Sequence, residues 1–453
     1  MSKLFATDSI RSITVADLSC AAAMQVGRAA AAVLAKGTDS KGKIIIGKDS
    51  SVSSDILEAV ICAGICSDGA DAETLGVVPV PAVAYLVKKM EADAGIMISA
   101  AYNGSDSSRI SLFSPDGLRF DSEIEDKIEQ LVFNSANQSE LRPNNDAGRI
   151  LRCNTALNEY IDNVKSKIRT NLKGKKAAVA CAGECAEKTA KRTLRLLGAE
   201  VLIMPAPDST SETGIDPKST QIERLMDFVI ENNCDCGLAI DWDGSSCIAV
   251  DEQGKLADGD SLLAIFAKDY KEQKKLRHNT AVIKATSSLG LLRFAEENEI
   301  NTVTSGASSR CVLDRMIEGG YNLGGEKNGR IFFLDDSIAS DGILCGAKLL
   351  EIMKKTGKKL SELAGEMPKL PQIALNVRIS LRSRELWKND TLITELIEKH
   401  EAALGGEGRI LVRECGGAEP FIRIIAEGRD FSQINDIAVE IAKKIKERCT
   451  ARG

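Results

Sequence analysis

The sequence is poor in histidine and in aromatic residues. Of its 453 residues only two are histidines, His278 and His400, and 4% are phenylalanine, tyrosine or tryptophan. No segment approaches the roughly 18 consecutive apolar residues of a membrane helix, and the amino terminus lacks the apolar core of a signal peptide. General-base catalysis would therefore depend on carboxylates, lysine or tyrosine. We expect a cytoplasmic protein without a membrane partner.

The charge balance and the cysteines exclude further classes of function. A formal net charge of −6 argues against binding nucleic acid, because phosphate backbones require concentrated lysine and arginine. The thirteen cysteines are scattered and form no CxxC pair, and the histidines are too few and too distant for zinc spacings. We expect reduced thiols that pack as small hydrophobic side chains.

Helix and strand patterns alternate along most of the chain, which predicts βαβ units and α/β domains. The polar residues 134–148 and the two prolines within residues 367–371 are typical of linkers. The part after the second linker is smaller and predicts an α+β domain. The predicted domains are residues 1–150, 151–251, 252–367 and 368–453.

Seven short motifs resemble those of the phosphohexomutases, above all the bacterial phosphoglucosamine mutases, and they occur in the family order. They are residues 5–11 (FATDSIR), 46–49 (IGKD), 76–81 (GVVPVP), 95–104 (GIMISAAYNG), 254–260 (GKLADGD), 341–343 (DGI) and 419–420 (EP). The resemblance implies three similar mixed α/β domains and a C-terminal α+β domain, similar to the TATA-box-binding protein, around a central cleft. It also implies four loops that face this cleft, one from each domain.

The first of these loops, residues 99–104, carries the phosphoryl-accepting serine in the family. Here Ala101 occupies the serine position and Tyr102 the position of the following histidine. Alanine has no atom that can accept a phosphoryl group. Ser99, Tyr102 and Ser105 have hydroxyl groups nearby, but each would place its oxygen elsewhere, and in-line transfer depends on position.

The second loop, residues 241–246, binds the metal in the family. Asp241 and Asp243 keep two carboxylates, Ser245 stands at the third-ligand position, and Ser246 replaces an arginine. Magnesium usually takes one or two carboxylates together with substrate phosphates. A weak magnesium site and an ordinary acidic turn both stay open.

The third loop, residues 325–330, reads the sugar in the family. The resemblance implies substrate-binding roles for Glu326, Lys327, Asn328 and Arg330, of which Glu326 is the family residue and Arg330 replaces a histidine. An arginine at this position suits an anion. The alternative is a glycine-rich surface turn.

The fourth loop, residues 413–420, holds the phosphate in the family. The implied phosphate-binding residues are Arg413, Cys415, Gly416, Gly417 and Arg423, because backbone N–H groups and arginine can both bind phosphate. The alternative is a hairpin whose arginines face solvent. The resemblance adds three further cleft residues: Arg11, Lys48 and Arg310.

The departures from the family pattern fall at polar cleft positions, whereas the apolar patterning is intact. Random decay would also have damaged the cores. We therefore interpret the chain as a phosphoglucosamine mutase-like protein of amino-sugar phosphate metabolism that is catalytically inactive, with a phosphosugar-binding, regulatory or interaction role. The alternative is an active phosphohexomutase that converts glucosamine 6-phosphate to glucosamine 1-phosphate with an atypical nucleophile. The resemblance also implies a homodimer, or a heterodimer with an active paralogue, through the first domain.

Overall fold

The structure is a computed structural model. It describes residues 5–6, 9–11, 19–35, 41–100, 108–134, 146–181, 183–205, 219–306, 309–380, 383, 387–415 and 420–450. The chain forms two compact units: residues 1–285 with 300–365, and residues 286–299 with 366–453. Among the described helices, none combines the length and the hydropathy that a membrane span requires.

The first sheet of the larger unit has seven strands. In chain order they are β1 (Phe5–Ala6), β2 (Ser9–Arg11), β3 (Lys43–Lys48), β4 (Asp71–Val77), β5 (Ala94–Ala100), β6 (Ser108–Phe113) and β7 (Ile150–Arg152), and in space they run β1-β2-β6-β5-β3-β4-β7. β3 pairs in parallel with β4 and β5, whereas β6 pairs antiparallel with β5. The central strands are buried apolar runs, as parallel strands covered on both faces require.

Four helices accompany this sheet: α1 (Cys20–Leu34), α2 (Val52–Ser67), α3 (Val80–Lys89) and α4 (Ser122–Asn134). α1 and α2 cross at a glycine on each helix. A Cβ atom at Gly27 would lie 2.4 Å from the carbonyl oxygen of Ile61, and one at Gly64 would lie 2.3 Å from that of Met24. The small residues of α1 therefore allow the close approach that seals the core of this sheet.

The second sheet has five strands in the spatial order β12-β11-β10-β8-β9. Its elements are α5 (Ala156–Lys167), β8 (Lys176–Cys181), α6 (Glu184–Leu196), β9 (Glu200–Ile203), α7 (Thr220–Glu231), β10 (Cys236–Ile240), β11 (Cys247–Asp251) and β12 (Leu256–Ala257). β10 is parallel to β8 and antiparallel to β11. The turn from β10 to β11 carries residues 241–246.

The third sheet has four strands in the order β14-β13-β15-β16. The elements of this region are α8 (Gly259–Glu272), β13 (Thr280–Lys284), α9 (Leu289–Glu297), β14 (Asn301–Ser305), α10 (Ser309–Gly319), β15 (Leu323–Gly325), β16 (Ile331–Phe333), α11 (Gly342–Thr356) and α12 (Leu360–Gly365). The hairpin from β15 to β16 carries residues 326–330.

The smaller unit contains α9 and the C-terminal elements. These are β17 (Gln372–Arg378), α13 (Thr391–Leu404), β18 (Arg409–Cys415), β19 (Phe421–Glu427) and α14 (Phe431–Thr450), and its antiparallel sheet runs β17-β19-β18. The backbone N–H of Leu289, at the start of α9, donates to Glu427 Oε2 at 3.0 Å. Arg409 Nη2 donates to Ser287 O and to Glu427 Oε2, the latter at 2.7 Å.

The described chain has three sheets with accompanying helices, followed by a smaller α+β domain, and this confirms the predicted fold class. The predicted domain limits differ in detail from the course of the sheets. The limit at residue 150 falls inside β7, which pairs with β4 of the first sheet, and β12 belongs to the second sheet although it follows residue 251. The predicted third domain includes α9, whose contacts lie in the smaller unit.

Candidate functional site

Residues 99–104, which we name the nucleophile loop, begin at the carboxyl end of β5. Ala101 and Tyr102 lie outside the described residues, so the loop is located by the strand that precedes it. Ser99, the described hydroxyl residue closest in sequence to Ala101, is 2% exposed and pairs in register with Arg109 of β6. The antiparallel pairing therefore places an arginine beside the strand end that leads to Ala101.

Residues 241–246, which we name the metal loop, form a tight turn in which both oxygens of the first carboxylate, Asp241, accept hydrogen bonds. Asp241 is 6% exposed. Its Oδ1 accepts the N–H of Ser246 at 2.9 Å, and its Oδ2 accepts the hydroxyl groups of Ser246 at 2.5 Å and Ser245 at 3.2 Å. Gly244 makes the turn possible, with a φ of +76° that favours glycine.

Asp243, the second carboxylate of this loop, has a backbone and an arginine partner. Its Oδ1 accepts the N–H of Ser245 at 2.9 Å, and its Oδ2 lies 3.7 Å from Arg109 Nη1. Burial raises the pKa of Asp241 to about 7, and the negative charge of Asp243 adds to that shift. Burial also acts on Asp243, but Arg330, Ser245 and Arg109 outweigh it and lower the pKa of Asp243.

These residues do not fit a magnesium site. Mg²⁺ requires near-octahedral oxygen ligands at about 2.0–2.1 Å, whereas three hydrogen bonds already use the oxygens of Asp241. Ser245, at the third-ligand position, donates its hydroxyl proton to Asp241. Within the described part of the chain, no group of three or more histidine, cysteine, aspartate or glutamate side chains could hold a metal ion.

Residues 325–330, which we name the sugar loop, contain a buried glutamate, Glu326. Glu326 is 1% exposed, and its Oε2 accepts Lys284 Nζ at 2.7 Å, which does not fit a surface turn. Lys327 uses its backbone carbonyl to accept the N–H of Gly259 at 3.0 Å, and Asn328 is exposed. The loop is thereby held against the start of α8, because a Cβ at Gly259 would lie 2.0 Å from the carbonyl oxygen of Glu326.

A cavity of about 120 Å³ opens between the three sheets of the larger unit, and we name it the arginine cavity. The charged side chains that line it are Arg109, Arg119, Arg310, Arg330, Asp243 and Asp314. Arg310 Nε lies 3.8 Å from Asp314 Oδ2, and the guanidinium carbon of Arg119 lies 4.2 Å from the ring centre of Phe113. Among the described residues that line this cavity, four charged side chains are positive and two are negative.

The structure brings only some of the predicted site residues together. Ser245 also lines the arginine cavity. Lys48 instead forms an ion pair with Asp55 of α2. For Arg11 the structure describes only the backbone, which pairs with Arg109 in the sheet.

Sequence reasoning missed Arg109 and Arg119 as members of the site. The family resemblance implies a glycine at position 109 and a lysine at position 111, where this chain has Arg109 and Ser111, so no role in the site was expected of Arg109. The antiparallel pairing of β5 with β6 sets Arg109 opposite Ser99, and that register was the signal that could have located it. Arg119 belongs to the turn after β6, and we find no comparable signal for it.

Helix α11 is joined to the metal loop at its first residue. The N–H of Gly342 donates to Gly244 O at 2.9 Å, and a Cβ there would lie 2.4 Å from Ser246 O. Asp341 caps the helix by accepting the N–H of Leu344 at 2.9 Å and also accepts the hydroxyl of Tyr160 at 2.9 Å. Burial raises the pKa of Asp341 to about 6.

Residues 413–420, which we name the phosphate loop, belong to the smaller unit and join β18 to β19. Arg413 and Arg423 are direct cross-strand partners, and Asn376 of β17 pairs with Arg423 on the other side. Arg423 Nε donates to Asn376 Oδ1 at 2.9 Å, whereas Arg413 Nε is buried and has no hydrogen-bond partner among the described residues. Cys415 ends β18, and Gly416 and Gly417 lie outside the described residues.

Comparison with known proteins gives one consistent family. Residues 2–139, 258–370 and 362–444 match the models of phosphoglucomutase/phosphomannomutase domain I, domain III and the C-terminal domain. The chain is 41% identical over 452 residues to a phosphoglucosamine mutase of Clostridium novyi, with all of both chains covered. It is 39% identical over 448 residues to one of Acetivibrio thermocellus, which covers 99% of this chain and 100% of the relative.

A solved structure of a phosphoglucomutase/phosphomannomutase family protein from Burkholderia thailandensis has the same fold. It superposes with a TM-score of 0.78 at 18% identity and covers 98% of each chain.

Proposed function

Because the chain belongs to the phosphoglucomutase/phosphomannomutase family and resembles phosphoglucosamine mutases over its full length, we propose that it binds an amino-sugar phosphate without transferring the phosphoryl group. The observation that carries this proposal is Ala101 at the position of the phosphoserine. A methyl group has no lone pair with which to attack phosphorus. Ser99, the neighbouring described hydroxyl, is buried in β5 and is directed by the strand rather than by the loop.

The smaller unit supports the phosphate-binding half of the proposal. Arg413 and Arg423 face each other across two strands, and like charges placed directly opposite destabilise a sheet. A phosphate dianion between them would relieve that repulsion and could pair with both guanidinium groups. The buried Nε of Arg413 would then gain an acceptor.

An active phosphohexomutase is the second candidate function. The 41% and 39% identity to proteins named phosphoglucosamine mutase favours it, because the scaffold of those relatives is retained over the whole chain. In this case Tyr102 or Ser105 would have to replace the serine as nucleophile, with an oxygen displaced from the family position. The two candidates differ in whether the protein becomes phosphorylated.

A phosphosugar-binding protein without turnover would act through a partner. The family resemblance predicts a homodimer, or a heterodimer with an active paralogue, through residues 1–150. Val52 and Ile56 of α2 are 77% and 48% exposed and give that domain apolar side chains on its surface. The pairing stays a prediction.

Incubation with glucosamine 1,6-bisphosphate and Mg²⁺ tests the proposal. We expect the intact mass of the protein to stay unchanged and a coupled assay to detect no glucosamine 6-phosphate to glucosamine 1-phosphate conversion, because no serine is available at position 101. The Clostridium novyi relative, treated in parallel, is the positive control. If the mass of the protein increases by one phosphoryl group and the assay detects turnover, the result would favour the active enzyme and contradict the proposal.

Arg413→Ala should reduce the stabilisation by a hexosamine phosphate. For the wild-type protein we expect the melting temperature to rise with ligand, because a ligand at about 100 times its Kd stabilises the native state by about 2.7 kcal/mol. The Lys399→Ala variant, with an exposed lysine of α13 removed from the same unit, is the control and should keep the shift. A shift as large after Arg413→Ala as in the wild type would place the ligand outside residues 413–423.

A further inference from the structure

The carboxylates of the metal loop have positive partners within the chain itself. Asp243 Oδ2 lies 3.7 Å from Arg109 Nη1. Arg109, Arg330 and Asp243 all line the arginine cavity. The negative charge that a divalent cation would neutralise is therefore neutralised by guanidinium groups.

The oxygen atoms that would bind a cation are also engaged. The two serines of the metal loop hold three hydrogen bonds to Asp241 and one, through a backbone N–H, to Asp243. A cation entering here would have to break several of these bonds and displace a guanidinium group. Two carboxylates alone would repay only part of that cost, since Mg²⁺ parts reluctantly with its own water ligands.

We infer that Arg109 and Arg330 take the place of a divalent cation beside Asp241 and Asp243, so that the arginine cavity binds a phosphate dianion without metal. Among the described residues that line the cavity, four are arginines and two are aspartates. The planar fork of arginine can pair bidentately with phosphate oxygens. That the phosphate belongs to an amino sugar rests on the proposed function, whereas the independence from metal does not.

The elements that carry the two arginines support fixed positions for them. Arg109 is held in the middle of a sheet, between the backbones of Arg11 in β2 and Ser99 in β5. Arg330 follows Gly329, whose carbonyl oxygen accepts the N–H of Cys247 at 3.0 Å and so joins the sugar loop to β11. A preorganised pair of cations costs less to bind an anion than flexible surface side chains do.

Binding of Mn²⁺, measured by electron paramagnetic resonance on the full-length protein, tests the loss of the cation site. Mn²⁺ accepts the same carboxylate and water ligands as Mg²⁺. We expect the wild type to bind no Mn²⁺ at millimolar concentration. The double variant Arg109→Gly with Arg330→His frees the carboxylates, and its affinity for Mn²⁺ should be at least about tenfold higher than that of the wild type. Arg310→Ala is the matched control. It removes a different cavity arginine, which pairs with Asp314, and should bind no Mn²⁺.

Stoichiometric Mn²⁺ binding by the wild type would overturn the inference, and so would a folded double variant that gains no affinity. The wild-type measurement decides the question even if the double variant fails to fold. Mutase turnover would contradict the proposed function without altering the Mn²⁺ result, so the two failures are distinguishable.

Inorganic phosphate tests the anion-binding half, in the Arg413→Ala background so that the smaller unit does not contribute. We expect phosphate to raise the melting temperature equally in EDTA and in Mg²⁺. Arg330→Ala in this background should weaken phosphate binding at least about tenfold, since a charge-assisted bidentate pair is lost. A shift that requires Mg²⁺, or no shift at all, would contradict the inference.

Discussion

Combining Ala101→Ser, Arg109→Gly, Ser245→Asp, Ser246→Arg and Arg330→His should give the protein measurable phosphoglucosamine mutase activity, whereas Ala101→Ser alone should give almost none. The single change supplies a hydroxyl but leaves Arg109 3.7 Å from Asp243 Oδ2 and Arg330 in the same cavity. Phosphoryl transfer depends on positioning and on electrostatic stabilisation of the transferred group. The nucleophile, the metal and the balancing arginine must therefore return together.

The expected gain is large because such groups act as a unit. Removing a single electrostatic donor from an active site typically costs about 10²–10³ in kcat, and losses within one constellation are not additive. We therefore expect at least about 10³-fold more turnover from the combined variant than from Ala101→Ser. The coupled mutase assay and the intact mass of the phosphorylated protein give two separate measurements.

The matched control returns position 101 to alanine while the other four substitutions stay in place. It should bind Mn²⁺ and remain inactive, because a metal without a nucleophile gives no phosphoenzyme. If Ala101→Ser alone were to reach the turnover of the Clostridium novyi relative, the arginine pair would be no obstacle to the reaction, contrary to our inference.

Gly342→Ala should destabilise the larger unit by about 1–3 kcal/mol, the usual cost of overpacking a close contact. The added methyl group would lie 2.4 Å from Ser246 O and 3.2 Å from Gly244 O. Both are backbone atoms of the metal loop, so no side-chain rotation can relieve the clash. α11 would have to move away and break the 2.9 Å hydrogen bond from Gly342 N to Gly244 O.

A second glycine-to-alanine change isolates the contact from helix propensity. Gly365 lies at the end of α12 and has open space where a Cβ would be added. Gly365→Ala should therefore be neutral or should stabilise by up to about 1 kcal/mol, since glycine costs that much in a helix. Chemical denaturation of both variants measures the difference, and equal effects would mean that Gly342 does not hold the metal loop.

The strands and helices were largely predictable from the sequence. The apolar runs of β3, β5 and β10 and the alternation with helices led to the α/β assignment, and the prolines within residues 367–371 separated the smaller α+β part. The short strands β7, β12 and β15 were not predicted, because two or three residues carry too little periodicity.

The candidate site was predictable only where it depends on the chemistry of single side chains. Ala101 cannot accept a phosphoryl group in any fold, and Ser245 cannot supply a third carboxylate. The burial of Glu326 against Lys284 was not foreseen, because a glycine-rich segment before a strand is also typical of an exposed turn. Only the packing of α8 on the sugar loop removes that ambiguity.

Ala101 and Ser245 lack the hydroxyl and the carboxylate that the family has at these positions, and the sequence by itself determined that much. The sequence identifies which atoms are present at each motif, and a missing oxygen needs no coordinates to be recognised. Only the tertiary structure decided which side chains from other sheets lie beside the metal loop. Arg109 comes from an antiparallel strand of the first sheet and Arg330 from a hairpin of the third. Electrostatic interaction depends on distance in space, which the folding of the chain sets. It is this folding that places Arg109 3.7 Å from Asp243 and brings Arg330 into the same cavity.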